Sequence, residues 1–187
     1  MRRWFRFLGR MLGVVGAASV MAEAQPITFT NVAPSMGIHH FYSGAFLGGG
    51  VSFCDFDGDG LEDLTLSSGA GEPIYAYRNL GTHFENVTPQ WNLNDAFESE
   101  TILWADYDND GDRDLFIANY MGSNRLYRND GGSFTDVTVS AGISTDTVAS
   151  IAACWADFNN DGWLDLYIAT YSDENNLGLT PNWLYQN

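Results

Sequence analysis

The stretch that decides the fold is FCDFDGDGLEDL, at residues 53–64. The pattern returns as WADYDNDGDRDL at 104–115 and as WADFNNDGWLDL at 155–166, and the three copies align without a gap. Their first aspartates stand at 55, 106 and 157, so both intervals are 51 residues. A fixed period of this length is typical of a repeat protein in which each repeat is one small structural unit.

The repeat extends beyond these acidic stretches. The letters YRN at 77–79 return at 127–129, and FENVT at 84–88 returns as FTDVT at 134–138. An early copy of the second piece, FTNVA at 29–33, predicts an isolated strand ahead of the first repeat. The repeat is therefore a property of the whole unit and not of its acidic part alone.

Each repeat predicts four short β-strands, because its segments are rich in β-branched and aromatic residues and are separated by glycine-bearing turns. The predicted strands are 50–54, 64–66, 74–77 and 84–87 in the first repeat, 115–118, 125–127 and 134–137 in the second, and 151–155 and 166–169 in the third. Four strands in each ~40–50 residues is the arrangement of a β-propeller blade. The predicted fold is therefore all-β, a partial β-propeller of four-stranded blades of about 51 residues.

The number of blades is lower than a closed propeller needs. Residues 25–187 form the repeat region and hold roughly three blades, whereas propellers close with about four to eight. We therefore expect an incomplete propeller, with an array that continues beyond residue 187.

The acidic stretches share the pattern Asp-x-Asp-x-Asp-Gly-x-x-Asp, with one asparagine in the third copy. Side chains at positions 1, 3, 5 and 9 and the carbonyl of position 7 can converge on one point, and the glycine at position 6 permits the sharp turn. Clustered carboxylates repel one another unless a cation lies between them, and hard oxygen ligands favour Ca²⁺. The predicted ligands are Asp55, Asp57, Asp59, Leu61 and Asp63 in loop 1, Asp106, Asp108, Asp110, Asp112 and Asp114 in loop 2, and Asp157, Asn159, Asp161, Trp163 and Asp165 in loop 3.

Loop 3 is expected to bind most weakly, because Asn159 retains an oxygen but removes a charge. An EF-hand begins with the same pattern, but it needs a glutamate at position 12 and helices on both sides. Position 12 is Leu66, Ile117 and Ile168, each inside a predicted strand. The pattern therefore predicts up to three calcium sites between strands and not an EF-hand.

Composition limits the partners of the chain. Of its 187 residues, 24 are acidic and only 8 are basic, which gives a net charge of −16. A nucleic-acid binder needs a basic face, and so does a protein that docks on an anionic membrane. We therefore expect no nucleic-acid partner, and a protein or carbohydrate ligand of unknown identity. Trp163 and Trp183 are candidate surface aromatics for a carbohydrate.

The first 24 residues read as a secretory signal peptide. Four arginines precede an apolar run at 11–21, and AEA at 22–24 provides a small-x-small cleavage site after Ala24. The run is too short to span a bilayer, so no membrane span is expected after cleavage. The Sec route is favoured over the twin-arginine route. The mature protein is predicted to be secreted, periplasmic or on the cell surface.

Two cysteines, Cys54 and Cys154, remain after cleavage. An exported protein can pair them in a disulfide. Their positions in non-adjacent repeats favour instead two buried thiols that pack as small apolar groups.

These units resemble FG-GAP/VCBS repeats, the blades of the integrin α-subunit β-propeller. The lead-in GGGV at 48–51, the acidic loop, and the LYRN and FTDVT pieces are similar to those of secreted bacterial VCBS proteins related to cartilage acidic protein, which often carry an ASPIC/UnbV segment. The resemblance covers about residues 27–187. It implies an extracytoplasmic, calcium-stabilised propeller for adhesion or ligand binding.

No catalytic motif accompanies the repeats. The sequence has no Gly-x-Ser-x-Gly elbow, His-x-x-x-His zinc motif or phosphate-binding loop. The predicted function is therefore non-enzymatic: a secreted calcium-binding module in which calcium is structural. The alternative is an accessory propeller of a larger secreted enzyme, acting on polysaccharide, whose catalytic part is absent from residues 1–187.

Overall fold

The computed structural model describes residues 27–43, 47–91, 93, 95–171 and 180–187. The chain divides into two units, Met1–Thr30 and Asn31–Asn187, and every strand described below lies in the second. The predicted signal peptide lies outside the described residues. Within the part of the chain that the structure describes, no helix is long and apolar enough to cross a membrane.

The second unit contains three antiparallel sheets, one for each repeat. In each sheet, strands that follow one another along the chain pair side by side. The first sheet contains β1 (Val51–Cys54), β2 (Asp63–Leu66), β3 (Tyr75–Asn79) and β4 (Phe84–Asn86). The second contains β5 (Glu98–Ala105), β6 (Asp114–Tyr120), β7 (Arg125–Asn129) and β8 (Phe134–Asp136), and the third contains β9 (Ala149–Ala156), β10 (Asp165–Tyr171) and β11 (Trp183–Tyr185). The prediction of one all-β blade per repeat is therefore confirmed.

Helix is almost absent from the described residues. Pro34–Met36 forms one 3₁₀ turn, and Thr88–Trp91 forms a single α-helical turn, α1, directly after β4. This turn places Trp91 between the first and second sheets, where its ring lies 4.7 Å from the Phe56 ring and 4.6 Å from the Phe134 ring. The Trp104 ring completes this aromatic layer at 5.7 Å from Trp91. Apolar burial between neighbouring sheets therefore holds successive repeats together.

The second and third sheets share a separate apolar core. Its buried members are Phe116, Ala118, Leu126, Val137, Ile143, Leu166 and Ile168. Trp155 packs against this core, as the repeat pattern led us to expect for the tryptophans ahead of the loops. Trp183 is half-buried and packs against this core with part of its surface, whereas Trp163 is 42 % exposed. Trp183 reaches this core because β11 pairs with β10.

Two smaller predictions are corrected. The FTNVA segment at 29–33 forms no strand, because no neighbouring strand among the described residues pairs with its backbone groups. Cys54 and Cys154 are both free thiols, so no disulfide joins them. Cys54 is half-buried, but Cys154 is exposed, so the prediction of two buried thiols is wrong for the second. The alternation of a β-strand places Cys154 on the outer face of β9.

Candidate metal centres

The three acidic loops occupy the same place in all three sheets. Each loop joins the first strand of its sheet to the second, so loop 1 joins β1 to β2, loop 2 joins β5 to β6, and loop 3 joins β9 to β10. Strands flank every loop on both sides. This arrangement excludes the helix–loop–helix frame of an EF-hand, as the residues at position 12 indicated.

Two residues in each loop adopt left-handed backbone conformations. Position 6 is glycine in all three loops, with φ values of 90° at Gly60, 100° at Gly111 and 93° at Gly162. Position 4 also has positive φ, at Gly58, Asn109 and Asn160. Glycine adopts this region without steric cost, and asparagine tolerates it better than other residues. Position 4 is glycine in loop 1 and asparagine in loops 2 and 3, and these residue types indicate a left-handed conformation there from the sequence alone.

The aspartate at position 1 organises its own loop. Asp55 accepts hydrogen bonds from the Gly58 and Gly60 amides at 2.8 and 2.9 Å. Asp106 and Asp157 accept equivalent bonds from the glycine amides at position 6 of their loops, at 3.1 and 2.9 Å. These bonds curl the backbone around the carboxylate. Hydrogen bonds within the loop therefore contribute to the shape of its inner face.

The aspartate at position 9 has a second role that the sequence did not reveal. Asp63 is fully buried, and its two oxygens accept hydrogen bonds from the Phe56 amide at 3.1 Å and the Asn79 amide at 2.7 Å. Asp114 and Asp165 make the same pair of bonds to the equivalent amides in their own repeats. Position 9 therefore fastens the acidic loop to the end of the third strand of each sheet.

Burial of these carboxylates has an electrostatic cost. Desolvation raises the pKa of Asp63 and of Asp114 to about 6, although the two backbone amides act in the opposite direction. The neighbouring loop carboxylates raise both values further. A cation among these groups would favour their ionised forms.

Three carboxylates meet in each of the first two loops. One oxygen each from Asp55, Asp57 and Asp63 lies within 4.8 Å of the other two, and Asp106, Asp108 and Asp114 form the same group in loop 2. These are positions 1, 3 and 9 of the predicted ligand set. At position 5, one oxygen of Asp59 instead accepts the Leu61 amide at 2.8 Å. Coordination by position 5 and by the carbonyl of position 7 remains a prediction.

An unpartnered oxygen supports a cation in loop 2. Oδ1 of Asp108 is buried and has no hydrogen-bond partner. Burial, followed by the Asp110 charge, raises the pKa of this carboxyl, although the Asp110 amide and the Arg128 charge act in the opposite direction. A buried carboxylate oxygen without a donor is costly, and a hard cation with oxygen ligands would satisfy it. The residues of loops 1 and 2 therefore fit Ca²⁺.

Loop 3 differs at position 3. The Asn159 amide donates a hydrogen bond to Oδ2 of Asp161 at 2.7 Å, so an amide group lies where the other loops have a carboxylate. Asp157 still accepts the position-5 and position-6 amides, and Asp165 still fastens the loop. The fold of loop 3 is therefore retained with one negative charge fewer.

Arginines near the loops are paired differently. Nε of Arg78 lies 2.6 Å from Oδ2 of Asp57, which is one of the clustered carboxylates of loop 1. The equivalent Arg128 instead forms a two-pronged pair with Asp130, at 2.9 and 3.0 Å. A cation that enters loop 1 therefore competes with a paired guanidinium for Asp57. In loop 2, Arg128 acts on Asp108 only through its charge, because its ion pair is with Asp130.

The asparagine of the repeated YRN piece also supports the loops. The amides of Asn79 and Asn129 donate to the Glu62 and Arg113 carbonyls, both at 3.0 Å, which are the position-8 carbonyls of their loops. The sequence identified this residue as part of the repeat but gave no reason for it. Its role appears only when the third strand is paired beside the second.

A family model described as FG-GAP-like repeat matches residues 55–117 and 106–168, which together cover more than half of the chain. The chain belongs to the FG-GAP-like repeat family. FG-GAP repeats are propeller blades, so the three sheets are blades of a β-propeller, and they do not close into a ring within the described residues. The resemblance inferred from the acidic loops is thus confirmed.

Two relatives are similar to most of the chain. Cartilage acidic protein 1 from Xenopus tropicalis is 26 % identical over 177 residues, which covers 84 % of this chain and 27 % of that protein. Cartilage acidic protein 1 from Homo sapiens is 27 % identical over 178 residues, which covers 84 % of this chain and 26 % of that protein. The chain spans about a quarter of the length of these relatives.

Proposed function

We propose that the propeller blades form a calcium-binding module of an exported protein, and that the calcium is structural. The observation that carries this proposal is the meeting of three carboxylates in loops 1 and 2, with ligand oxygens within 4.8 Å of one another. Calcium would be held by Asp55, Asp57 and Asp63 in loop 1 and by Asp106, Asp108 and Asp114 in loop 2. It would supply positive charge among buried or crowded carboxylates and would not take part in a reaction.

The carboxylate at position 9 gives this binding a structural consequence. It contacts the proposed ion and at the same time accepts amides from the loop and from the third strand. An ion in the loop would therefore tie the first, second and third strands of a blade together. We infer that loss of calcium loosens each blade at its loop end, while the apolar layers between sheets persist.

The proposed biological role is adhesion or binding of a protein or carbohydrate ligand outside the cytoplasm, without catalysis. The negative charge of −16 and the calcium loops suit an extracellular or periplasmic setting, where calcium is abundant. The signal-like first 24 residues support export. Membership of a repeat family whose units are structural blades supports a binding module.

Thermal melting with and without chelator tests the structural role. Extracellular modules bind calcium with Kd values of roughly 10⁻⁴–10⁻³ M, so about 1 mM calcium adds roughly 1 kcal/mol per site. For a chain of this size, each kcal/mol moves Tm by about 2–4 °C. We expect excess chelator to lower Tm by roughly 5–10 °C, and magnesium at equal concentration to restore little of it. An unchanged Tm would count against the proposal.

A further inference from the structure

A second group of acids lies outside the three acidic loops. Glu98 and Glu100 are at the start of β5, six or more residues before loop 2 begins, and they are only 8 % and 9 % exposed. Burial, followed by the neighbouring Glu98 carboxylate, raises the pKa of Glu100 to about 7. Two carboxyl groups buried side by side are expensive unless a positive charge or other hydrogen bonds compensate.

The backbone of β5 directs this pair. The ladder between β5 and β6 shifts its register between Ser99 and Thr101, so that Glu100 is the extra residue of a bulge. The third blade has the same irregularity, where the equivalent residue is Ile151. The frame of a blade therefore does not require an acid at this position. Bulges commonly redirect a side chain near a functional site.

The surroundings of the pair contain unsatisfied oxygens. Oε1 of Glu100 is buried without a hydrogen-bond partner, and so is the hydroxyl of Ser67, a residue that is only 1 % exposed. Tyr42 closes the group: its hydroxyl donates to the Ser99 carbonyl at 3.4 Å, and the charges of both glutamates act on it. Ser67 and Tyr42 adjoin each other, because a Cβ at Gly49 would strike both the Ser67 hydroxyl and the Tyr42 ring.

The group also has an anchor in the preceding repeat. Oε1 of Glu98 accepts the Leu47 amide at 3.0 Å. Gly50 packs against the backbone of Glu100 so closely that any side chain at position 50 would overlap the Glu100 carbonyl. Residues 47 and 50 of the first repeat therefore contact both glutamates of the second, and the pair lies at the junction between the first and second sheets.

We propose that Glu98, Glu100 and the Ser67 hydroxyl bind a hard divalent cation, Ca²⁺, at the junction of the first two blades, separate from the acidic loops. Two carboxylates and a hydroxyl provide three to five oxygens, and water completes the six to eight that Ca²⁺ takes. The ion would neutralise the two neighbouring carboxylates and would satisfy Oε1 of Glu100 and Oγ of Ser67. It would link the blades to each other, whereas the loop ions act within one blade.

Counting bound calcium in the full chain tests this site. Equilibrium dialysis of the wild-type protein and of a Glu98→Gln/Glu100→Gln variant against CaCl₂ should show one bound ion fewer in the variant. A Glu72→Gln/Glu85→Gln variant, which neutralises two exposed glutamates, is the matched control and should bind as many ions as the wild type. Equal counts in the wild type and in the Glu98→Gln/Glu100→Gln variant would overturn the proposal.

The single substitution Ser67→Ala tests the same site if the Glu98→Gln/Glu100→Gln variant does not fold. Ser67→Ala removes a hydroxyl that has no partner to lose, so it should fold normally and weaken the junction site about three- to tenfold. An unchanged calcium isotherm for Ser67→Ala would also overturn the proposal. An Asp55→Ala/Asp106→Ala variant separates the two kinds of site, because it should lose the loop ions and retain the junction ion.

Discussion

Comparison of Asp63→Ala with Asp57→Ala separates the two roles that the structure assigns to the carboxylates of loop 1. Asp57 and Asp63 both lie in the proposed calcium site. Asp63 is buried and accepts two backbone amides, whereas Asp57 is exposed, pairs with Arg78 and accepts only the Asp59 amide at 3.2 Å. The two substitutions should therefore be alike in their effect on calcium binding and different in their effect on the metal-free fold.

The expected magnitudes follow from those contacts. Asp63→Ala leaves the buried Phe56 amide without an acceptor, at a cost of about 1–3 kcal/mol, and adds a smaller cost at the half-buried Asn79 amide. Release of the buried charge offsets part of this, so we expect a net loss of about 2 kcal/mol in chelator. Asp57→Ala removes one surface ion pair and one exposed hydrogen bond from the Asp59 amide, and should cost less than about 1 kcal/mol.

Urea unfolding followed by circular dichroism measures both variants in chelator and in about 1 mM calcium, where a site of this class is expected to be at least half filled. In chelator only Asp63→Ala should be clearly destabilised, and in calcium both should lose the extra stability that the wild type gains at loop 1. Equal costs for the two variants in chelator would refute the reasoning about position 9. Asp165→Ala removes the equivalent two hydrogen bonds from loop 3, so it should also be clearly destabilised in chelator.

Three further predictions concern the surroundings of the loops. Trp91→Ala should cost about 3–5 kcal/mol in urea unfolding, because the indole fills the layer between the first two sheets, and a cost below about 1 kcal/mol would contradict that packing. Arg78→Gln should raise the calcium affinity of loop 1 by roughly two- to fivefold in calorimetric titration by removing a competitor for Asp57, whereas Arg128→Gln should raise that of loop 2 less, because Arg128 pairs with Asp130 and acts on Asp108 only through its charge. Gly111→Ala should destabilise the chain by about 1–2 kcal/mol, since position 111 has φ of 100°; no loss would mean that loop 2 does not need this turn.

The repeat made most of the fold predictable. Strand positions followed from a 51-residue period and from β-branched and aromatic segments, and the loops followed from three copies of one acidic pattern. A single FTNVA segment at 29–33 misled the same reasoning, because similarity to a strand of a blade does not supply a partner strand. A strand-like segment of the sequence forms a strand only where its own repeat also supplies a neighbouring strand to pair with it.

The parts that the sequence did not reveal depend on contacts between distant residues. Asp63 reaches the Asn79 amide only because β2 pairs with β3 in a particular register. Glu98 and Glu100 lie outside the repeated pattern, and their meeting with Tyr42 depends on how the first two repeats pack. Neither contact leaves a periodic signal in one sequence.

A crystal structure of the protein grown in about 10 mM CaCl₂, well above the weakest Kd of extracellular calcium modules, tests the central claim most directly. Anomalous scattering should place one calcium ion inside loop 1, within bonding distance of Asp55, Asp57 and Asp63, and one inside loop 2, beside Asp106, Asp108 and Asp114. Loops without calcium at that concentration, with their carboxylates turned towards solvent, would contradict the account.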